Sequence, residues 1–261
     1  MGPQFKSESR HKVVALMEED SLEEEVERLY HDDQLSTWQI AALIGIAQSK
    51  VLKLLAGVPK RSKSQAAAIR FEEKTLHLQG SQVDLAYLIG VYLGDGCLYQ
   101  FPRTELLDIA CDAQYTNLIA RYQRLVEQVF GKSPSLIASR TANCVHIRLY
   151  GKGISAVLGF ETGPKRGHDL HIPDWIRTDS TLSRWCLRGL FETDGYLHQR
   201  RGRDKSVVLG FSNTNQALLD DVKQLLCNLG YNCFRRNQTS IDCWLFEEAS
   251  RLVADIGFDK S

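Results

Sequence analysis

The chain has 261 residues, 43% of them hydrophobic and 25% charged, an ordinary globular mixture that excludes collagen-like, coiled-coil and disordered classes. The longest apolar run, Leu85 to Gly94, is half the roughly 20 residues a membrane helix needs. A formal net charge of zero hides an asymmetry: residues 36–261 hold 28 basic and 22 acidic side chains, so the total says nothing against a phosphate partner.

No basic patch followed by an apolar core opens the chain, and an intracellular, cytoplasmic location is expected. The seven cysteines contain no C-x-x-C pair, so they are expected to be reduced thiols acting as small apolar residues.

Residues 21–58 read as three short helices. Ser21 with Glu24 forms a capping box, followed by an apolar stripe of Leu22, Val26, Leu29 and Tyr30. Ser36 with Gln39 forms a second box and opens a helix over Thr37–Leu43, which Gly45 breaks. The third helix turns Val51, Leu52, Leu54 and Leu55 inward and Gln48, Ser49, Lys50 and Lys53 outward, and Gly57-Val58-Pro59 ends it. The Ser36–Leu55 stretch resembles a helix-turn-helix, with Lys60, Arg61 and Lys63 able to grip a DNA backbone. A small bundle that touches no DNA is the alternative. Residues 1–64 are therefore one domain and 65–82 a polar linker with an alanine-rich helical start at Gln65–Arg70.

Beyond the linker the chain repeats itself. Leu88 to Gly96 recurs as Leu187 to Gly195, and each copy closes in Gly-Phe, at Gly159-Phe160 and Gly257-Phe258, with offsets of 99 and 98 residues. Alternating segments at 106–113, 145–150, 206–212 and 233–244 read as strands. Helices bearing Leu118, Tyr122, Leu125 and Val126, or Leu218, Val222, Leu225 and Leu226, would cover one face of the sheet. The uncovered face would carry Gln100, Arg103, Arg148, Gln199, Arg201, Arg203, Arg235 and Arg236.

Gly90 and Gly94, matched by Gly189 and Thr193, are small residues four apart that let two helices touch along one face. Asp95 and Asp194 then meet at the negative ends of both helices, where a hard divalent cation would relieve the repulsion. One Asp-Gly alone would mark only a turn; two in register point to a metal site.

The two segments closely resemble the paired motifs of monomeric LAGLIDADG homing endonucleases, the second copy more closely than the first, where Leu93 and Gly94 depart from the consensus. Ile172-Pro173-Asp174-Trp175-Ile176 is similar to the family's inter-domain segment. The resemblance covers 83–261, with repeats at 83–176 and 177–261. It implies an α+β fold of two pseudo-symmetric αββαββα halves whose sheets form a saddle on double-stranded DNA. It further implies a monomer with a long, near-asymmetric target site, cleavage with short 3′ overhangs, and no protein or membrane partner. Asp95 and Asp194, with the carbonyls of Gly94 and Thr193, would hold Mg²⁺; Mn²⁺ is expected to substitute and Ca²⁺ to bind without supporting cleavage. Gln114, Asn215, Lys165 and Lys260 are the expected polar and basic groups around the attacking water. A non-cleaving DNA-binding regulator and an intron RNA maturase are the alternatives. His168 and His171 lack companion ligands, and the chain has neither intein nucleophiles nor a phosphate-binding G-x-x-x-x-G-K-[ST] loop.

Overall fold

The structure is a computed structural model that describes residues 19–72, 75–199, 207–243 and 246–259. The chain divides into two compact units, Met1–Glu73 and Lys74–Ser261.

The first unit holds helices α1 (Glu19–His31), α2 (Thr37–Ile44), α3 (Gln48–Leu54) and α4 (Lys63–Glu72). The Ser36–Gln39 capping box forms as expected, and Gly45 ends α2 at φ 80°. Leu22, Val26, Leu29, Ile40, Ala41, Ile44, Val51 and Leu55 make its core. Three expectations change. Ser21 lies inside α1, which already runs from Glu19, so it does not cap that helix. Leu52 is 51% exposed and contributes nothing to the core. The helical start expected at Gln65–Arg70 belongs to α4, which begins two residues earlier, across the expected 64/65 boundary, because Ser62 and Gln65 form another capping box: Gln65 Oε1 accepts from the Ser62 amide at 2.8 Å.

The second unit begins with α5 (Gln82–Asp95), capped by Ser81 and Asp84. Then come β1 (Gly96–Phe101), β2 (Thr104–Asp112), α6 (Thr116–Phe130), β3 (Ser135–Ala138), β4 (Cys144–Gly151) and α7 (Ile154–Leu158). The short helix α8 (Asp174–Arg177) leads into α9 (Ser180–Asp194). The order repeats as β5 (Gly195–Gln199), β6 (Val207–Ser212), α10 (Gln216–Asn228), β7 (Phe234–Asn237), β8 (Ser240–Cys243) and α11 (Phe246–Ile256). The two antiparallel sheets have orders β1-β2-β4-β3 and β5-β6-β8-β7. Each copy is thus helix, hairpin, helix, hairpin, helix, as its duplicated sequence predicts.

Period-two alternation sends Leu98, Leu107, Ile109, Ile147 and Leu149 from the first sheet, and Leu209, Phe211 and Ile241 from the second, into one common core. The predicted apolar faces of α6 and α10 join them there. Ile172 and Ile176 of the inter-copy segment are buried as well, and Asp221 fixes that segment by accepting from the Ile172 amide at 2.8 Å and from Arg177 at 3.0 Å.

Helices α5 and α9 touch backbone to backbone. A Cβ on Gly90 would lie 2.1 Å from the Cys186 carbonyl oxygen, and one on Gly189 would lie 2.6 Å from the Tyr87 carbonyl oxygen. Tyr87 and Gly90 match Cys186 and Gly189 at the motif offset, so the contact is reciprocal, as a pseudo-twofold axis requires.

The cysteine expectation is corrected at one pair. Cys233 and Cys243 form a disulfide, because the β7–β8 register, with Phe234 opposite Asp242, puts their Cα atoms 4.6 Å apart. Cys111 and Cys186 are buried thiols as expected. No described helix is long and apolar enough to cross a membrane.

Gly90→Ala should lower stability by about 2–3 kcal/mol in urea unfolding, since backbone cannot move aside as a side chain can. Tyr122 is the counter-case: among the described residues its buried hydroxyl has no hydrogen-bond partner. Tyr122→Phe should therefore stabilise by about 1 kcal/mol. Burial also holds the Tyr122 pKa well above the ordinary value. As pH climbs past about 10, the unfolded chain ionises this group and the folded one does not, so the native state loses stability. The Phe variant escapes that loss, and its advantage should widen above pH 10.

Candidate functional site

Each long motif helix ends in an aspartate and passes directly into a strand. Gly96 and Gly195 have extended backbones, φ −87° and −81°, so neither is there for a left-handed turn. Space decides instead: a Cβ would stand 2.7 Å from Tyr92 Cα in the first copy and 2.2 Å from the Phe191 carbonyl oxygen in the second. The Asp-Gly pair is a close chain return that leaves each carboxylate at its helix terminus. The two termini adjoin, since a Cβ on Gly94 would sit 2.0 Å from Thr193 Oγ1.

Lys165 reaches this point from the loop before the second copy. Its ammonium donates to the carbonyls of Tyr92 at 2.8 Å, Leu93 at 2.9 Å and Gly94 at 2.9 Å, capping the negative end of α5. Burial pulls its pKa below the ordinary lysine value, while Cys97, Asp194 and Asp95 act in the opposite direction. Both motif carboxylates therefore feel this one cation. Lys165 is thus brought to the end of the first motif helix.

The water-positioning candidates divide. Asn215 caps α10, accepting from the Leu218 amide at 3.1 Å and the Leu170 amide at 3.3 Å and donating to the His168 carbonyl at 2.7 Å. It is a structural clamp. The side chain on the carboxylate is Asn213, two residues earlier, whose amide donates to Asp194 Oδ2 at 2.8 Å. Gln114 is exposed and bonded to Asp112 through its amide side chain at 3.0 Å. Asp112 accepts from the backbone of Gln114, and Asn213 from that of Asn215, so the two copies share one turn. Lys260 lies outside the described residues.

Asp95, Asp194 and the two helix-terminal carbonyls of Gly94 and Thr193 are all oxygen donors, which suits a hard divalent cation. Among the described residues no group of three or more His, Cys, Asp or Glu could hold a metal. His171 pairs with Asp221 at 3.1 Å and is not part of a histidine metal site.

The expected polar face of the sheets takes a different shape. Arg148 lies on the uncovered face, paired to Asp108 at 2.9 Å, and Arg103 is exposed in the β1–β2 turn. Gln100 has the parity of buried Leu98, and its side chain ties the hairpin by donating to the Phe101 carbonyl at 2.7 Å. The uncovered face instead carries exposed Tyr99, Phe101 and Tyr150, the last two with ring centroids 6.4 Å apart. In the second copy Arg236 is exposed beside Asp242, while Arg235 turns to Asp220 at 2.8 Å and Gln216 at 2.7 Å. Arg201, Arg203 and the Gln199 side chain lie outside the described residues.

In the helical unit Ser49, Lys50, Lys53, Lys60 and Lys63 are exposed, and Gln48 bonds Thr37 Oγ1 at 3.0 Å. Arg61 points inward. Its guanidinium donates to the carbonyls of Tyr30 at 2.6 Å, Leu35 at 2.5 Å and Gln34 at 2.9 Å, and lies 3.9 Å from the Tyr30 ring centroid. The side chain expected to grip DNA closes the α1–α2 turn. Exposed Trp38, at 71%, is the surface group sequence reading passed over.

The second unit has a duplicated LAGLIDADG-type fold, two helix–hairpin–helix–hairpin–helix copies that meet at their motif helices. Residues 181–240 match the family profile described as LAGLIDADG-like domain. No curated protein sequence matches the chain. The structure of I-DmoI in complex with its target DNA nicked in the coding strand, in the presence of Mn, shares 19% identity, covers 67% of this chain and 95% of that chain, and has a TM-score of 0.50. The homing endonuclease I-WcaI bound to its DNA recognition sequence shares 16%, with 76% and 89% coverage and a TM-score of 0.46. The N-terminal LAGLIDADG domain of DUF199/WhiA shares 15%, with 78% and 94% coverage and a TM-score of 0.47. The I-DmoI likeness shows the fold of the second unit.

Arg61→Ala should destabilise the helical unit by about 2–3 kcal/mol, because three carbonyls lose a charged donor together with a cation–π contact. Thermal unfolding followed by circular dichroism reads this without any DNA.

Proposed function

We propose that the protein is a site-specific double-strand DNA endonuclease that hydrolyses one phosphodiester in each strand with divalent metal. The observation that carries this reading is the reciprocal α5–α9 contact, which brings together the helix ends that bear Asp95 and Asp194, with Lys165 on the terminal carbonyls of the first. Asp95 and Asp194, with the carbonyls of Gly94 and Thr193, would hold the metal. Bound there, a divalent cation supplies an activated water and neutralises the leaving 3′-oxygen.

The protein's own groups prepare that chemistry. Asn213 orients the Asp194 carboxylate through a single hydrogen bond. Lys165 keeps a positive charge at the α5 terminus, where two aspartates and a helix dipole would otherwise repel a scissile phosphate. In the first copy Asp112 holds the turn position of Asn213, and Gln114, bonded to it, is the polar group nominated there. The uncovered sheet faces, with Arg148 and Arg236, would follow the duplex, and the exposed Gln48–Lys53 helix with Lys60 and Lys63 would add a second contact by a helix-turn-helix. I-DmoI and I-WcaI, both in complex with DNA, support this use of the fold. The reading takes the enzyme as a monomer with a long, near-asymmetric target.

Cleavage of a randomised duplex library tests it, with Mg²⁺ and then Ca²⁺, for wild type, Asp95→Asn and Asp194→Asn. Cuts at one long site with Mg²⁺ are expected, with each substitution lowering the rate by at least about 100-fold while capture of the site persists in Ca²⁺. Asn213→Ala should lower cleavage by about 10-fold or more, and Asn215→Ala should act on stability instead. Capture of one site with no cut in either metal would make the protein a non-cleaving DNA-binding regulator.

A further inference from the structure

The uncovered face of the first sheet carries a second constellation, remote from the motif carboxylates in sequence and unused by the reaction above. Cys144, His146 and Arg148 alternate on β4 and so share one face, and the register sets Arg148 opposite Asp108 of β2. Cys144 Sγ lies 3.6 Å from His146 Nε2. His146 Nδ1 lies 2.9 Å from Asp108 Oδ1, and Arg148 holds the other carboxylate oxygen at 2.9 Å. A carboxylate only accepts hydrogen bonds, so His146 Nδ1 carries the proton and Nε2 turns its lone pair to the thiol. This is the order thiol, imidazole, carboxylate that activates a sulfur nucleophile.

We propose that Cys144 is a thiol–disulfide exchange site for small disulfides of the glutathione class, with His146 as its base and Asp108 as the group that positions the base. Cys144 is partly exposed, as Cys97 is, whereas Cys111 and Cys186 are buried and Cys233 and Cys243 are already paired; of the two partly exposed thiols, Cys144 is the one in contact with His146. His146 and Arg148 stand on the same strand as Cys144, and Asp108 and Asp112 on the neighbouring one, so the activating group is the imidazole in contact with the thiol. In the exchange the Cys144 proton passes to His146 Nε2 and the sulfur attacks one sulfur of the disulfide. The old S–S bond breaks as the new one forms. The departing thiolate takes the proton from His146 and leaves as a thiol, so no further oxidant is needed.

The consequence rests on the nuclease reading. A glutathionyl group is bulky and net anionic, and Cys144 lies on the face that would meet phosphate. Exchange at Cys144 would therefore release the duplex, and reduction would restore it.

The test uses the full chain and glutathione disulfide, with peptide mapping under non-reducing conditions. Cys227 on α10 is the reference, since it is exposed and has no such histidine. Cys144 should gain the adduct about 10-fold faster than Cys227. His146→Gln should remove that advantage, and Asp108→Asn should reduce it. His146 is partly exposed on the sheet surface, so its variant keeps the core intact. Equal rates at Cys144 and Cys227, or a His146→Gln protein that reacts as wild type does, would overturn the exchange site. In a second arm, duplex binding is measured before and after modification, with Cys144→Ser as the variant that should no longer respond to glutathione disulfide. Binding that survives full modification of Cys144 would overturn the switch and leave the nuclease reading intact. An unmodified protein that captures no duplex would overturn that reading and leave the thiol kinetics standing.

Discussion

The backbone contact between α5 and α9 is the constraint on which the second unit depends. Two helices approach this closely only where side chains are absent, and Gly90 and Gly189 supply that absence at equivalent points. Residues on either side of the contact, Leu85–Leu93 in the first helix and Leu182–Thr193 in the second, then lie almost wholly in the core. Because the contact is reciprocal, both helices must end together, and whatever follows each must diverge. Gly96 and Gly195 make that divergence possible by letting each strand turn back against its own helix. The pairing of Asp95 with Asp194 is a consequence of that geometry.

Such an arrangement concentrates negative charge, and the structure offsets it unevenly. Lys165 caps the first helix with three carbonyl contacts; at the second, Asn213 donates to Asp194 and the Thr193 hydroxyl donates back to the Gly189 and Leu190 carbonyls. One residue upstream the copies differ more sharply. Leu93 is plain core, while its counterpart Glu192 is buried among Tyr87, Arg121 and Arg188. A buried ion pair of this kind repays little of its desolvation cost, but it accepts only one arrangement of its partners. It locks α6, α5 and α9 in register, and the proximity of Glu192 helps push the Tyr87 hydroxyl pKa up. Arg121 continues the network to Asp259 at 2.6 Å, tying the end of the chain to the motif helix.

What could be read without a structure was whatever depends on spacing along one chain. The duplication, the small-residue positions and the boundaries of the motif helices are local patterns, and the structure keeps them. Capping boxes belong to the same class: Ser62 with Gln65 carries the signal as openly as Ser36 with Gln39, and it marks the start of α4 two residues before the alanine-rich run suggests. Partners brought together by folding were not legible. Asn213 and Asn215 are both asparagines at one turn, and only the direction of the turn decides which faces Asp194. Arg61 looked like a surface cation in a basic run, yet it fits three carbonyls across a turn some 26–31 residues away in sequence. Cys233 and Cys243 follow no familiar spacing and pair only because of the β7–β8 register. Leu52 was assigned to the core by its chemistry alone, and the helix is too short for periodicity to correct that.

Duplication held the backbone more firmly than the outward side chains. Across the middle of the first sheet, Cys97, Asp108 and Arg148 stand in a row; the corresponding row of the second is Tyr196, Gly210 and Asp242. Both rows contain one carboxylate on the uncovered face, and both satisfy it, but with different partners. Asp108 on β2 is met by Arg148 and His146 from β4. Asp242 on β8 is met by the Tyr196 hydroxyl from β5 at 2.5 Å, and the ring reaches it by crossing Gly210, where a Cβ would stand 2.2 Å from Tyr196 Cζ. The aromatic that bridges one sheet therefore depends on a glycine the other sheet lacks, so neither row could be exchanged for the other by a single substitution. Two sheets alike in topology thus present unlike hydrogen-bonding surfaces. Were a duplex to lie across both, as the proposed function has it, its two halves would meet different chemistry without any change in the fold that carries the two rows.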